Sequence, residues 1–204
     1  MTLTTWFSIV AICVLGAVSP GPSLAVVLRH TVTNSRQHGI AAGVFHAVGV
    51  AFWALLTILG LALLVAQSPL LFRLMTYAGA AYLAWLGFKA LTAKSQAVLH
   101  PGQAASVSVF RSGLDGLMIS LINPKLALFF IALFSQFVSA ELSTGDQVAM
   151  MATAGIIDGL WYLLVALIFS HSRMLAGLHK HAVWVDRITG GIFIALAAQV
   201  VVGV

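Results

Sequence analysis

Charged residues are scarce in this chain of 204 residues. Lys, Arg, Asp and Glu make up 7% of it, whereas a soluble domain carries roughly 25%. Hydrophobic residues make up 61%, and the mean hydropathy is +1.05. Because this number of charges is too small to cover a water-exposed surface, a soluble globular protein is excluded. The composition predicts an integral membrane protein whose first partner is the lipid bilayer.

Cysteine occurs once, at Cys13, so a disulfide framework and a Cys-based metal cluster are excluded. The motifs His-Glu-x-x-His, Cys-x-x-Cys, Gly-x-Ser-x-Gly and the phosphate-binding Gly-x-x-x-x-Gly-Lys are also missing. We therefore expect no enzyme, no resident metal or cofactor and no nucleotide-driven pump. The excess of basic residues lies between apolar runs, so membrane orientation explains it better than a nucleic-acid partner does.

Six apolar runs reach the roughly 20 residues that a membrane-spanning helix needs. They are Leu3–Leu28, Gly39–Ala66, Pro69–Leu91, Ser112–Val138, Val148–Phe169 and Val185–Val204. Lys and Arg concentrate in the first, third and fifth connections between these runs. Because cytoplasmic loops carry such an excess, the sequence predicts a multi-pass membrane protein with both termini outside.

Weak self-similarity predicts two halves of three helices each, residues 1–91 and 111–204, joined by a cytoplasmic linker at 92–110. The corresponding segments are Ser19-Pro20 with Asn123-Pro124, Gly43-Val44-Phe45-His46 with Gly155-Ile156-Ile157-Asp158, and Gly79–Ala84 with Gly190–Ala195. Three is odd, so two tandem halves must lie in opposite orientations. The expected fold is a single all-α transporter domain of six transmembrane helices in a 3+3 inverted repeat.

Proline interrupts the first and the fourth of these spans. Ser and Asn are preferred N-caps, and Pro is favoured at the first helical position. Each motif therefore predicts a new half-helix at membrane depth, beginning after Ser19 and after Asn123. A broken helix in each half is typical of a transporter binding site. The residues that we expect to bind substrate are Ser19, Pro20, Gly21, Pro22, Ser23, Asn123, Pro124 and Lys125, together with Asp158.

Four ionisable residues within the spans are candidates for the chemistry. Lys125 adds a positive charge to two helix N-termini, an arrangement that suits a carboxylate, although a structural pairing is the alternative. Asp158 either receives a substrate ammonium, carries a coupling proton or pairs with Lys125. Asp115 is either a gating or coupling residue or simply faces water at the entrance. His46 is either a proton relay or a hydrogen-bonded core residue.

Motifs along essentially the whole chain resemble the LysE/RhtB family of amino-acid exporters. They are Ser19-Pro20-Gly21-Pro22-Ser23 with Asn123-Pro124-Lys125, Gly39-Ile40-Ala41-Ala42-Gly43, Tyr82–Lys89 and Trp184–Gly191. After the second proline, relatives often carry Asp or Asn where this chain has Ser23.

The resemblance implies export of homoserine- or threonine-like amino acids across the bacterial inner membrane, driven by the proton motive force. Export of a metal or toxic ion, or of another small metabolite, is the alternative. Few acidic or thiol groups lie at membrane depth, so the ion is less favoured. An intramembrane enzyme or assembly factor would need a nucleophile–base pair on facing helices, and none stands out. Association of copies into a homo-oligomer is left open.

Overall fold

The protein is built from helices. The structure, a computed structural model, describes residues 1–92, 107–139, 142–170 and 172–203. Within these ranges all regular secondary structure is helical, and the predicted all-α class is confirmed for them. The helices are α1 (Leu3–Val18), α2 (Pro22–Thr33), α3 (Arg36–Gln67), α4 (Pro69–Leu91), α5 (Val109–Ile122), α6 (Pro124–Phe134), α7 (Thr144–Phe169) and α8 (Ser172–Gly203).

Both predicted helix breaks are present. The axis turns by 60° between α1 and α2 and by 53° between α5 and α6. Pro22 and Pro124 each occupy the start of the second helix of their pair. There the missing N–H has no helical partner to lose. Each pair is long and apolar enough to form one bent membrane span.

The start of the second half-helix differs from the prediction in the first break. Ser19 is not an N-cap, since its N–H donates to the Leu15 carbonyl at 3.2 Å and it ends α1 as the C-cap. The N-cap of α2 is Gly21, in extended conformation. Of the two prolines, the second is therefore the one at the first helical position. In the other break the prediction is right, because Asn123 Oδ1 accepts from the Lys125 N–H at 3.0 Å.

Of the helices that the structure describes, two could span a membrane unaided, Arg36–Leu61 and Thr144–Phe169. The two bent pairs raise the number to four. Among the described residues of α8 the uniformly apolar part is the shorter Gly190–Val202. The fold is consistent with a multi-pass membrane protein, and the count of six spans stays a prediction.

Several helix ends differ from the apolar runs that predicted them. Hydropathy marks only the apolar part of a helix, whereas helical hydrogen bonding continues into polar turns. Thus α2 continues past Leu28 to Thr33, α5 begins at Val109 rather than Ser112, and α8 begins at Ser172 rather than Val185. By contrast α6 ends at Phe134, before Val138. Most of the predicted linker, residues 93–106, and the predicted end of the sixth span at Val204 lie outside the described residues.

Helix α3 lies at the centre, packed against α7 and α5, while α4 packs along α8. Glycines permit the closest approaches. A Cβ at Gly116 of α5 would collide with the carbonyl of Ala42, and one at Gly43 of α3 would lie 2.7 Å from Cβ of Tyr162. Small residues at helix contacts let backbones touch, which is typical of membrane helices. This packing surrounds a cavity at the level of the two breaks.

The outward face of α3 is apolar. Its large side chains recur at helical spacing and are 45–59% exposed: Val48, Phe52, Leu56, Leu59 and Leu63. Such a stripe is unfavourable in water, and it suits contact with lipid tails. The buried polar residues lie on the opposite side, facing the other helices.

Candidate functional site

A small cavity lies where the two helix breaks face α3 and α7. It encloses about 30 Å³, room for roughly two water molecules. Its lining joins the residues of both breaks to ionisable residues of α3 and α7. The lining residues are Cys13, Gly16, Ala17, Ser19, Gly21, Ser23, His46, Val50, Asn123, Lys125, Leu126, Phe129, Phe130, Ala154, Asp158 and Tyr162. Segments far apart in sequence therefore converge here, and a larger ligand requires the helices to separate.

Lys125, the second residue of α6, reaches across to the end of α1. Its Nζ donates to the Ser19 carbonyl at 2.9 Å, to Ser19 Oγ at 2.6 Å and to the Pro20 carbonyl at 3.3 Å. These carbonyls lie at the C-terminal end of α1, where the helix dipole is negative. The ammonium also lies 5.6 Å from the centre of the Phe193 ring. The break in one helix pair is thus tied to the break in the other by a cation.

The two breaks also meet through neutral side chains. Asn123 Nδ2 donates to Ser23 Oγ at 3.1 Å, and both residues are buried. The side chain of Asn123 caps α6, whereas Gly21 gives α2 no side-chain cap. The first N–H groups of a helix have no partner within that helix. The start of α2 therefore offers its dipole to an anion, beside Lys125, whose Nζ would lie 3.5 Å from a Cβ at Gly21.

His46 and Asp158 form a buried pair on the other side of the cavity. His46 Nδ1 and Asp158 Oδ2 are 2.7 Å apart, and the two residues are 1% and 5% exposed. The His46 ring packs edge-on against Tyr162, with centroids 4.8 Å apart. Nε2 of His46 is buried without a hydrogen-bond partner among the described residues. Burying a carboxylate is costly unless it is paired, and His46 supplies the partner.

The site therefore offers a cation and a carboxylate to one small volume. Lys125 and the start of α2 can hold a negative group, and Asp158 can hold a positive group or a proton. His46 and Asp158, joined by their hydrogen bond, form one polar unit on the cavity wall.

Asp115 of α5 does not line the cavity and lies against the last turns of α2. His30 Nε2 lies 3.1 Å from Asp115 Oδ2, and His30 Nδ1 lies 3.0 Å from Ser112 Oγ. Arg29 and Arg111 approach the same carboxylate at 3.6 Å and 3.5 Å. Its side chain is 28% exposed, so it is ion-paired as well as partly open to water.

His30 was missed by the sequence reasoning, although it is 2% exposed and central to this group. It lay just past the end of a predicted span and had no motif around it. Its helical spacing from Val27 was an available signal, since both fall on the buried side of α2.

Pro20, Pro22 and Pro124 are not among the residues that line the cavity. These prolines lie at the helix breaks and do not contribute to the cavity wall. Val50 and Tyr162 line it, although neither is among the residues that we expected to bind substrate. Each follows an ionisable candidate by four residues on the same helix, so one helical turn was the signal that could have found them.

In the part of the chain that the structure describes, no three His, Cys, Asp or Glu side chains are grouped so that they could hold a metal ion.

This fold and cavity fit a membrane translocator, and comparison with known proteins gives the class. A family model described as LysE type translocator matches residues 14–203, so the chain belongs to that family. The predicted family is confirmed. A family of translocators also fits the expectation that the protein is not an enzyme.

Relatives match the chain over most of its length. It is 28% identical to a threonine efflux protein of Escherichia coli K12, covering 98% of each chain. It is 26% identical to a threonine efflux protein of Salmonella typhi, again covering 98% of each. It is 31% identical to a leucine efflux protein of an Enterobacter species, over 88% of this chain and 87% of that one. No solved structure matches.

Proposed function

We propose that the protein is a proton-coupled secondary transporter that exports threonine-like or related neutral amino acids from the bacterial cytoplasm. The observation that carries the proposal is that both helix breaks meet Lys125, His46 and Asp158 around one cavity. The threonine and leucine efflux relatives support an amino-acid substrate.

The substrate carboxylate binds Lys125 and the uncapped start of α2. At present Lys125 donates to the Ser19 and Pro20 carbonyls. A carboxylate is a stronger acceptor than a carbonyl, so it takes over part of this bonding when the cavity opens. This exchange keeps the cation satisfied in both states.

The substrate ammonium binds Asp158, for which a proton competes. One carboxylate cannot bind a proton and an ammonium group at full strength at the same time. Proton binding and amino-acid binding therefore weaken each other. Opposed binding at one site is the physical basis of antiport. His46, hydrogen-bonded to Asp158 at 2.7 Å, delivers and removes the proton. Proton entry then drives amino-acid exit.

The proposed transporter has six spans in a 3+3 inverted repeat. Both of its termini lie outside, and the membrane that it spans is the bacterial inner membrane. The repeat pairs His46 with Asp158, and these two residues are in contact. Equivalent residues of two inverted halves meet when they lie near the axis that relates the halves. The two bends, of 60° and 53°, are also similar.

Asp115 acts in the cytoplasmic gate. It joins α5 of one half to His30 and Arg29 of α2 in the other. With the basic connections inside, this group closes the cytoplasmic path when formed and opens it when broken.

The test is efflux of preloaded radiolabelled threonine from proteoliposomes, with and without a proton gradient. We expect wild-type protein and Lys89→Ala to release threonine faster with the proton gradient than without it. Lys89 is a suitable control because it stacks on Trp85 at the end of α4 and does not line the cavity. Lys125→Ala loses at least about tenfold of the rate, as expected for a lost charge-assisted contact. Equal rates in Lys125→Ala and Lys89→Ala would discard the binding model. No movement of threonine or of leucine by the wild-type protein, each assayed in the same way, would discard the function.

A further inference from the structure

The cavity changes character along its length. His46 of α3 and Asp158 of α7 face each other, and these helices run antiparallel. Further contacts show this, since Gly43 lies against Tyr162 and Gly155 lies against Ala51. One turn beyond the pair, toward the end of α3, the corresponding lining residues are Val50 and Ala154. The polar wall thus becomes apolar within one turn on both helices.

Two further helices contribute to the same apolar wall. Cys13 of α1 and Phe130 of α6 line the cavity and pack with Val50 and Ala154 in one buried cluster. Each of the four is at most 6% exposed. A charged group entering this wall would find no opposite charge in it, which makes its burial costly.

We propose that Cys13, Val50, Phe130 and Ala154 form the subsite for the substrate side chain and set the size and polarity that it accepts. The inference rests on the proposed function, in which Lys125 and Asp158 hold the two charged ends of the amino acid. With those ends fixed, the side chain is directed to the wall without charges. The subsite takes short aliphatic or hydroxylated side chains and rejects cationic, anionic and large aromatic ones.

Val50 and Ala154 are the residues that limit size. Val50 on α3 and Ala154 on α7 line the cavity at the same level, so changing the volume of either side chain changes the width of the subsite. Val50→Ala widens it and favours larger side chains, whereas Ala154→Val narrows it and favours smaller ones. One methylene in an apolar pocket changes discrimination by about 10–200-fold.

The test measures transport of alanine, threonine, leucine, phenylalanine, lysine and aspartate in proteoliposomes. The quantity is the ratio of leucine to alanine rates within one preparation, which is independent of how much protein folds. We expect the ratio to fall at least about tenfold in Ala154→Val and to rise in Val50→Ala. Ala54→Val is the matched control, because Ala54 is buried in the same cluster but does not line the cavity. It should leave the ratio unchanged.

The outcomes distinguish a failure of the proposed subsite from a failure of the proposed function. If amino acids move but the two variants alter all rates equally, or if lysine or aspartate moves as fast as threonine, the subsite is overturned and the exporter stands. If none of the six amino acids moves, the proposed function is overturned and the subsite with it.

Discussion

At the scale of single residues, the His46–Asp158 pair combines burial with titratable chemistry. A carboxylate that is 5% exposed needs a partner, and His46, whose Nδ1 lies 2.7 Å from Asp158 Oδ2, supplies one. The pair therefore stabilises the buried carboxylate, and in the proposed mechanism it also carries the coupling proton. Its position on the cavity wall places it within reach of a bound molecule.

Replacing Asp158 by Asn should weaken threonine binding and remove its pH dependence. In wild-type protein a proton and the substrate ammonium compete for this carboxylate, so binding weakens as pH falls. In Asp158→Asn the side chain at position 158 is neutral at every pH, so threonine binding should be at least about tenfold weaker and independent of pH. Equilibrium binding of labelled threonine between pH 5 and pH 8 measures this. Asp146→Asn, at the start of the same helix, should keep the wild-type profile, and a sloping profile in Asp158→Asn would refute the competition.

At the scale of elements, the two breaks are built from different local chemistry. Asn123 caps α6 with its side chain, while Gly21 leaves the start of α2 uncapped. Asn123 also reaches Ser23 across the gap. One residue thus ends a helix, starts another and joins the two breaks.

Asn123→Ala should cost both stability and transport, whereas Ser143→Ala should cost stability alone. Each substitution removes an N-cap, worth about 1 kcal/mol. Ser143 caps α7 through Asp146 and does not line the cavity. Thermal unfolding in detergent and threonine efflux, measured on both variants, make the comparison. Similar transport in the two would show that Asn123 only caps its helix.

Asp115→Asn should loosen the cytoplasmic side. Asp115 bonds the buried His30, and a hydrogen bond to a charged group is worth about 1.5–3 kcal/mol. The exposed Arg29 and Arg111 add little. Cys13, the one cysteine of the sequence, lines the cavity and reports its accessibility. A membrane-impermeant thiol reagent applied to inside-out vesicles should label Cys13 roughly tenfold faster in the variant. An unchanged labelling rate would remove Asp115 from the gate.

The local parts of this architecture could be predicted from sequence, and the pairings could not. Asn123-Pro124 is a cap followed by proline, so its role is written in adjacent residues. Ser19-Pro20-Gly21-Pro22 contains two prolines, and either could begin the second half-helix. The sequence predicted a start after Ser19, whereas Pro22 is the first residue of α2. His30 meets Asp115 from 85 residues away, and His46 meets Asp158 from 112. The weak repeat aligned His46 with Asp158, but equivalent residues of two inverted halves meet only near the axis that relates the halves, and the sequence does not place that axis.

At the scale of the whole molecule, close helix packing surrounds the site. The central α3 approaches α5 and α7 through glycines. A Cβ at Gly116 would strike the Ala42 carbonyl, and one at Gly49 would strike the Ser120 side chain.

Gly116→Ala should destabilise the fold, and Gly60→Ala should not. A Cβ at Gly116 would strike the carbonyl of Ala42, whereas one at Gly60 meets no atom within 4 Å. Overpacking costs about 1–3 kcal/mol, while Ala replacing Gly within a helix contributes roughly 0.5–1 kcal/mol. Thermal melting of the two variants in detergent should move in opposite directions. A stable Gly116→Ala protein would mean that α3 and α5 lie further apart than described.

The central claim is that an amino acid binds in the cavity between the two helix breaks. The most direct measurement is the rate at which a small thiol reagent labels Cys13 with and without saturating threonine. The account predicts that threonine slows labelling of the wild-type protein several-fold and does not slow labelling of Lys125→Ala. Labelling of wild-type protein that is unaffected by threonine, in a preparation that transports threonine, would contradict the claim.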